Sequence, residues 1–182
     1  MELWDYIPNG PFLDRSEFHI ALKQRLEVPN WFIYTVINNT TKRPVGSIAL
    51  ININLENRTI EVGYVLFSSL LQRTIAATEV MYLLASLVFD TLGYRRYEWK
   101  CDNLNEPSKR AALRLGFTFE GVFRQHMIVK GRNRDTAWFS LLDMEWPVVK
   151  EGLERWLEEG NFDEDGRQKK SLWVLRDAAK VS

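Results

Sequence analysis

The sequence predicts an α+β domain: a mixed central sheet, in which an antiparallel meander gives way to a parallel pair, flanked by helices. Three observations carry this expectation. Apolar, β-branched runs at 31–38, 45–54 and 59–67 are separated only by short polar turns, which reads as a meander. The period then changes from two to helical, and a strand-like run returns at 95–102; strand, helix and strand in succession imply a parallel crossover. Two further alternating segments, joined by KGRNR, read as a closing hairpin.

Each element has its own signal. GPFLDRSEFHIALKQRLEV opens with turn chemistry, and Phe18, Leu22 and Leu26 then recur at helical spacing. After the meander, Val80, Leu83, Leu84, Leu87 and Val88 form one helical stripe, with Thr78 or Thr74 as the cap and Gly93 as the stop. In RRYEWKCD, Tyr97, Trp99 and Cys101 point one way and Arg96, Glu98, Lys100 and Asp102 the other, as in a strand. Asn105 suits an N-cap, Pro107 the first turn and Gly116 the position past the end of the next helix. Beyond Pro147, Val149, Leu153, Trp156 and Leu157 mark a last amphipathic helix. EEGNFDEDGRQKK reads as a solvated linker and SLWVLRDAA as a docking segment. The chain is therefore expected to divide into a domain at 1–146 and a C-terminal helix, linker and docking segment at 147–182.

Bulk composition narrows the functional classes. Among 182 residues, 24 Lys plus Arg balance 24 Asp plus Glu, which argues against general nucleic-acid or membrane-surface affinity. The single cysteine, Cys101, allows no intrachain disulfide and suits a reducing compartment. No apolar run is long enough to span a bilayer, and MELWDYIPNG lacks a signal-peptide pattern, so a cytoplasmic location is expected. With only His19 and His126, a histidine-rich metal site is excluded and no metal is expected.

The chemistry concentrates at two helix starts. In LQRTIAATEV a strand gives way to a helix, whose first amides have no partner within it and whose dipole favours an anion. A pyrophosphate fits such a place. Arg73 adds a positive charge, and Thr74 and Thr78 add hydroxyls; an ordinary capped helix start fits the same residues. In NLNEPSKRAALRLGF, Asn105 and Ser108 are three apart and can share one helix face, although Asn105 also suits a simple cap.

These segments together resemble the GNAT superfamily of acyl-CoA-dependent N-acetyltransferases, and within it the RimJ/RimL-like branch. IEVGYVLFSSLLQRTIAATE is similar to its strand, cofactor turn and helix. LGYRRYEWKCDNLNEPSKRAALRLGFTFEGVFR is similar to its second strand and Asn-x-x-Ser helix, and GRNRDTAWFSLLDMEW to its last strands. The resemblance covers most of the chain, from WDYIPNGPF to EW at 145–146. It implies a GNAT fold that binds acetyl-CoA at a splay between two central strands, and an amine that attacks the thioester directly. The turn, Gln72, Arg73, Thr74, Ile75, Ala76, Ala77 and Thr78, would hold the pyrophosphate through backbone amides. Asn105 would contact the cofactor, and Ser108 would lie near the thiol. Two features depart from the family pattern: Ile75 stands where a glycine is usual, and the strand that usually precedes WDYIPNGPF is not evident.

For the transfer itself, Glu61, on the strand entering the turn, is the first candidate base, with a solvent-facing carboxylate or one paired with a neighbouring arginine as the alternative. Ser108 is a candidate donor to the leaving thiolate, and the backbone N–H near Leu66 or Phe67 a candidate for polarising the thioester carbonyl. His126 is a second candidate base, Asp135 a candidate orienter of the amine, and Trp4, Tyr6, Phe12 and Trp138 candidate walls of the acceptor pocket. The expected partners are acetyl-CoA and a primary amine, on a monomer or homodimer. A non-catalytic acyl-CoA-binding or protein-interaction module is the competing reading.

Overall fold

The computed structural model describes residues 4–179 of the chain. In order, its main elements are α1 (Arg15–Leu26), β1 (Phe32–Ile37), β2 (Pro44–Asn54), β3 (Thr59–Phe67), α2 (Ile75–Ser86), β4 (Arg96–Asp102), α3 (Glu106–Arg114), β5 (Thr118–Val129), β6 (Arg132–Leu142), α4 (Trp146–Leu157) and α5 (Leu172–Ala179). One sheet takes the strands in the order β1-β2-β3-β4-β6-β5. Only β3 and β4 run parallel; every other neighbouring pair is antiparallel. No strand precedes α1 among the described residues, so β1 forms the outer edge of the sheet.

The β3–β4 pairing is short, and its end creates the site. Pairing runs from Thr59↔Arg96 to Val62↔Trp99 and stops there. The β2–β3 register slips just beyond, where two steps on β2 (Ser47 to Ala49) face three on β3 (Leu66 to Gly63). Tyr64 lies within that slip in left-handed backbone, with φ of 47°. An extra residue in one strand bends it and raises its twist, so β3 turns away from β4 where the two would otherwise continue together.

The core lies on the face of the sheet that carries α2, α3 and α4. Ile48, Leu50, Ile60, Val62, Tyr97, Trp99, Phe139 and Leu141 supply the sheet side; Met81, Leu84, Ala112, Val149, Leu153 and Trp156 supply the helices. β4 alternates as expected, with Tyr97, Trp99 and Cys101 buried on this face. α2 is rotated from the expected stripe: Thr78, Met81, Leu84 and Ala85 are buried while Leu83 is 57% exposed. Its cap is Thr74, whose Oγ1 accepts from Ala77 N at 3.2 Å, and the helix closes in a π turn at Leu87–Thr91 before Gly93. α1 departs similarly. Asp14 caps it through the amides of Ser16 and Glu17, but Ala21 and Arg25 are its buried residues and Leu26 is exposed. Helical spacing defines a stripe; the neighbouring sheet decides which edge of it is covered.

The 158–170 segment is exposed along most of its length, as its charge implies, but Asn161 and Phe162 turn inward. Asn161 is buried, donates from Nδ2 to the carbonyls of Trp156 and Lys170, and accepts from Lys170 N at 3.0 Å. Phe162 bridges Gln168, whose Oε1 accepts from Trp156 Nε1 at 2.7 Å. This small closed loop returns the chain so that Leu172 and Leu175 of α5 join the same core as α4.

Candidate active site

At the head of the splay the chain leaves β3 and builds the start of α2. Ser68 N returns to Val45 O, Leu71 N and Gln72 N both donate to Ser68 O, and Thr74 N reaches Leu71 O. Gln72 Nε2 bonds Phe67 O at 2.7 Å, so Gln72 braces the turn. Arg73 takes a left-handed φ of 61°. Among the described residues no acceptor takes the amides of Arg73, Ile75 and Ala76. These donors gather beside a helix N-terminus, the arrangement that binds anions. Ile75 opens α2 and is 37% exposed. Thr78 is instead buried, and its Oγ1 accepts from Arg114 Nη1 at 3.1 Å, tying α2 to α3. Leu66 and Phe67 pair with Ser47 and Gly46 on their β2 side, and their other edge faces the splay.

The second parallel strand leads to a second helix start. Asn105 caps α3, its Oδ1 accepting from Ser108 N at 3.2 Å. Ser108 Oγ accepts from Trp99 Nε1 at 3.0 Å. Burial pushes the neighbouring Cys101 thiol up, against a hydrogen bond with Ser108 that pulls it down, so Cys101 is a poor nucleophile.

Glu61 is neither solvent-facing nor paired with an arginine. It is 5% exposed, and its Oε2 accepts from Lys100 Nζ at 2.8 Å and from Asn52 Nδ2 at 2.6 Å. Lys100 also meets Glu98 at 3.1 Å and sits 3.8 Å from the Trp138 ring centroid. The chain of charges continues through Arg96, bound to Glu98 and Glu120, and Glu120 accepts from Ser140 at 2.7 Å. Removing one partner of such a pair strands a buried charge, which makes the cluster rigid. The alternation of RRYEWKCD places Lys100 on the face opposite Trp99, but no feature of the sequence names its partner. Glu61 and Ser108 therefore lie on opposite faces of the sheet, and the β3–β4 splay is the opening between them.

Comparison with known proteins decides the family. The sequence model of the acetyltransferase (GNAT) domain matches residues 1–118, well over half of the chain. The chain belongs to the GNAT acetyltransferase family. A GCN5-related N-acetyltransferase from Brucella melitensis superposes with a TM-score of 0.93 at 47% identity, over 96% of this chain and 79% of that one. A probable GNAT-family acetyltransferase from Chromobacterium violaceum superposes with a TM-score of 0.77 at 42% identity, over 80% of this chain and 73% of that one. The uncharacterized N-acetyltransferase YoaA of Bacillus subtilis is 33% identical over 102 residues, 56% of this chain and 57% of its own length. The chain spans about three fifths of the length of the curated relatives it matches.

In this GNAT domain the acceptor-side candidates fall into two groups. Trp4 meets Phe12 edge to face at 5.3 Å, and Phe12 meets Phe18 of α1. Tyr6 Oη donates to Leu104 O at 3.0 Å, pinning the N-terminal segment to the loop before α3. It lines a cavity of about 340 Å³ with Asp102, Lys130, Arg132 and Arg134. Trp138 packs against Phe123 and His126, and His126 Nδ1 lies 3.0 Å from Thr136 Oγ1. Asp135 accepts from Gln125 N at 2.7 Å and Asn133 Nδ2 at 2.9 Å, and the Gln125 bond holds its carboxyl below the usual value. That carboxylate serves the β5–β6 irregularity, where Gln125 has φ of 49°.

Proposed function

We propose that this protein transfers an acetyl group from acetyl-CoA to a primary amine by direct attack, as a member of the RimJ/RimL-like branch. The acceptor class is a protein N-terminus, an amino acid, a polyamine or an amino sugar. The observation that carries this reading is the pair of helix N-termini at the ends of two parallel strands that separate beyond Val62 and Trp99, with the Arg73, Ile75 and Ala76 amides unclaimed above the gap. The donor set fits a diphosphate: backbone N–H groups, the positive end of α2, and the Arg73 guanidinium.

Bound acetyl-CoA supplies an activated acyl group as its thioester. The chain's own residues do the rest. The turn amides and Arg73 fix one end of the donor, and the free edge of β3 near Leu66 and Phe67 offers N–H groups to the thioester oxygen. Asn105 and Ser108 border the other side of the gap, and the Ser108 hydroxyl donates toward the departing sulfur while Trp99 holds its oxygen. Glu61 takes the proton of the amine, directly or through water, from the opposite face. Most of the acceleration comes from holding two reactants in line.

The test is calorimetric titration with acetyl-CoA, followed by a thiol-release assay across a panel of amines. Binding that weakens roughly tenfold in Arg73→Ala, with turnover of at least one amine, is the expected result. Absence of heat with both acetyl-CoA and free CoA would remove the reading.

A further inference from the structure

Arg25 is 8% exposed, on the side of α1 that faces β3, and its guanidinium lies 4.7 Å from the ring centroid of Tyr64. Its Nε and Nη2 are buried without any hydrogen-bond partner, and it forms no ion pair among the described residues. Arg176 is buried to the same degree, at 7%, but its Nη1 donates to the carbonyls of Leu113 and Arg114. A buried guanidinium normally finds such acceptors, because its charge and five donors are costly to leave unmatched. Methionine or leucine at position 25 would fill the same space without that cost, so packing does not explain the arginine.

Its location suggests what it is for. Tyr64 lies in the slip where β3 bends away from β4, and its ring meets Trp31 as well as Arg25, with the Trp31 centroid 4.8 Å away. Arg25 therefore packs on β3 at Tyr64, two residues beyond Val62, where the pairing with β4 ends. A planar fork fixed by an aromatic ring recognises a carboxylate or a phosphate. We propose that Arg25 receives an anionic group, carboxylate or phosphate, on the amine acceptor. This rests on the acetyl-transfer reading of the splay and narrows its acceptor class. A purely cationic polyamine is the acceptor it disfavours, since an unneutralised guanidinium repels it.

The experiment has two arms. In the first, kcat/KM is measured for two pairs of acceptors: an amino acid with its amide, and an amino-sugar phosphate with its parent amino sugar. Wild type should prefer the charged member of one pair, and that pair identifies the source of the anion. In Arg25→Met the preference should shrink roughly ten- to hundredfold, the worth of one charged hydrogen-bonded contact, with partial recovery in Arg25→Lys. A preference that is absent, or that survives in Arg25→Met, overturns the proposal. If the Met variant does not fold, Arg25→Gln carries the same comparison.

The second arm needs no turnover. The Arg25 Nε–H resonance, assigned by its loss in Arg25→Lys, is followed by NMR during titration with acetate and with inorganic phosphate. A saturable shift with either supports the anion site, even if transfer activity is absent and the acetyl-transfer reading falls. A resonance that moves with neither, in a protein that acetylates neutral amines, overturns the anion site and leaves the transfer reading standing.

Discussion

Ser108 shows how one side chain can serve both structure and chemistry. Its Oγ is the acceptor for Trp99 Nε1, and its backbone N–H is the donor to the Asn105 cap. Ser108→Ala therefore leaves a part-buried indole N–H unsatisfied, at about 1–3 kcal/mol. If the hydroxyl also protonates the departing thiolate, the same variant should lower kcat by roughly a hundredfold or more with the KM for acetyl-CoA little changed. Steady-state kinetics beside a denaturation curve separate the two contributions. A loss confined to stability would leave Ser108 as a brace for Trp99 alone. The Asn105 cap over Ser108 could be read from their three-residue spacing. Lys100 could not be read as the partner of Glu61, because the contact joins strands 39 residues apart in sequence.

Among the elements, the α4–α5 crossing shows most directly how close packing sets the sign of a mutation. Gly152 is buried within α4, and a Cβ built there would lie 2.8 Å from Arg176 Cα and 2.9 Å from its Cβ. Glycine in a helix ordinarily costs about 1 kcal/mol relative to alanine. Here the obstacle is backbone, so α5 must move away before the propensity gain is realised. Gly152→Ala should destabilise the protein by about 1–3 kcal/mol, read as a lower denaturant midpoint. An unchanged or raised midpoint would mean that α5 is held loosely on α4. Only α4 was legible as an apolar stripe; the sequence of α5 reads as a docking segment without a helical type. Their contact was not legible, since charge in the intervening segment suggested a solvated linker where Asn161 and Phe162 instead form a packed return.

Across the whole molecule, the charged network on the face of the sheet opposite Trp99 links five strands from Asn52 to Ser140. It also makes stability depend on pH. The hydrogen bond from Arg96 holds the Glu120 carboxyl below its ordinary value of 4.5, with Ser140 adding to the effect against burial. A carboxyl lowered in the folded state contributes fully above its unfolded value, and that contribution is lost as pH falls through the folded one. Stability should therefore decline on the acid side of 4.5, and Glu120→Gln should flatten that part of the profile while leaving the neutral region parallel to wild type. Denaturation midpoints measured in steps from neutral to acid pH check this. An identical acid slope in the variant would show that the Arg96–Glu120 pair contributes nothing there.

The sequence by itself determined the order and type of the elements as far as α4, the parallel crossover, the capped helix starts and the family pattern. Each of these rests on local information: the period of apolar residues, the chemistry of caps, and the spacing of Asn105 and Ser108. Only the tertiary structure decided which edge of each helix is covered, that the β3–β4 pairing ends at Val62 and Trp99, that Glu61 is paired with Lys100, and that Arg25 is buried without a partner. Those are properties of contacts between distant segments, set by a bulge, a crossing and a desolvated charge.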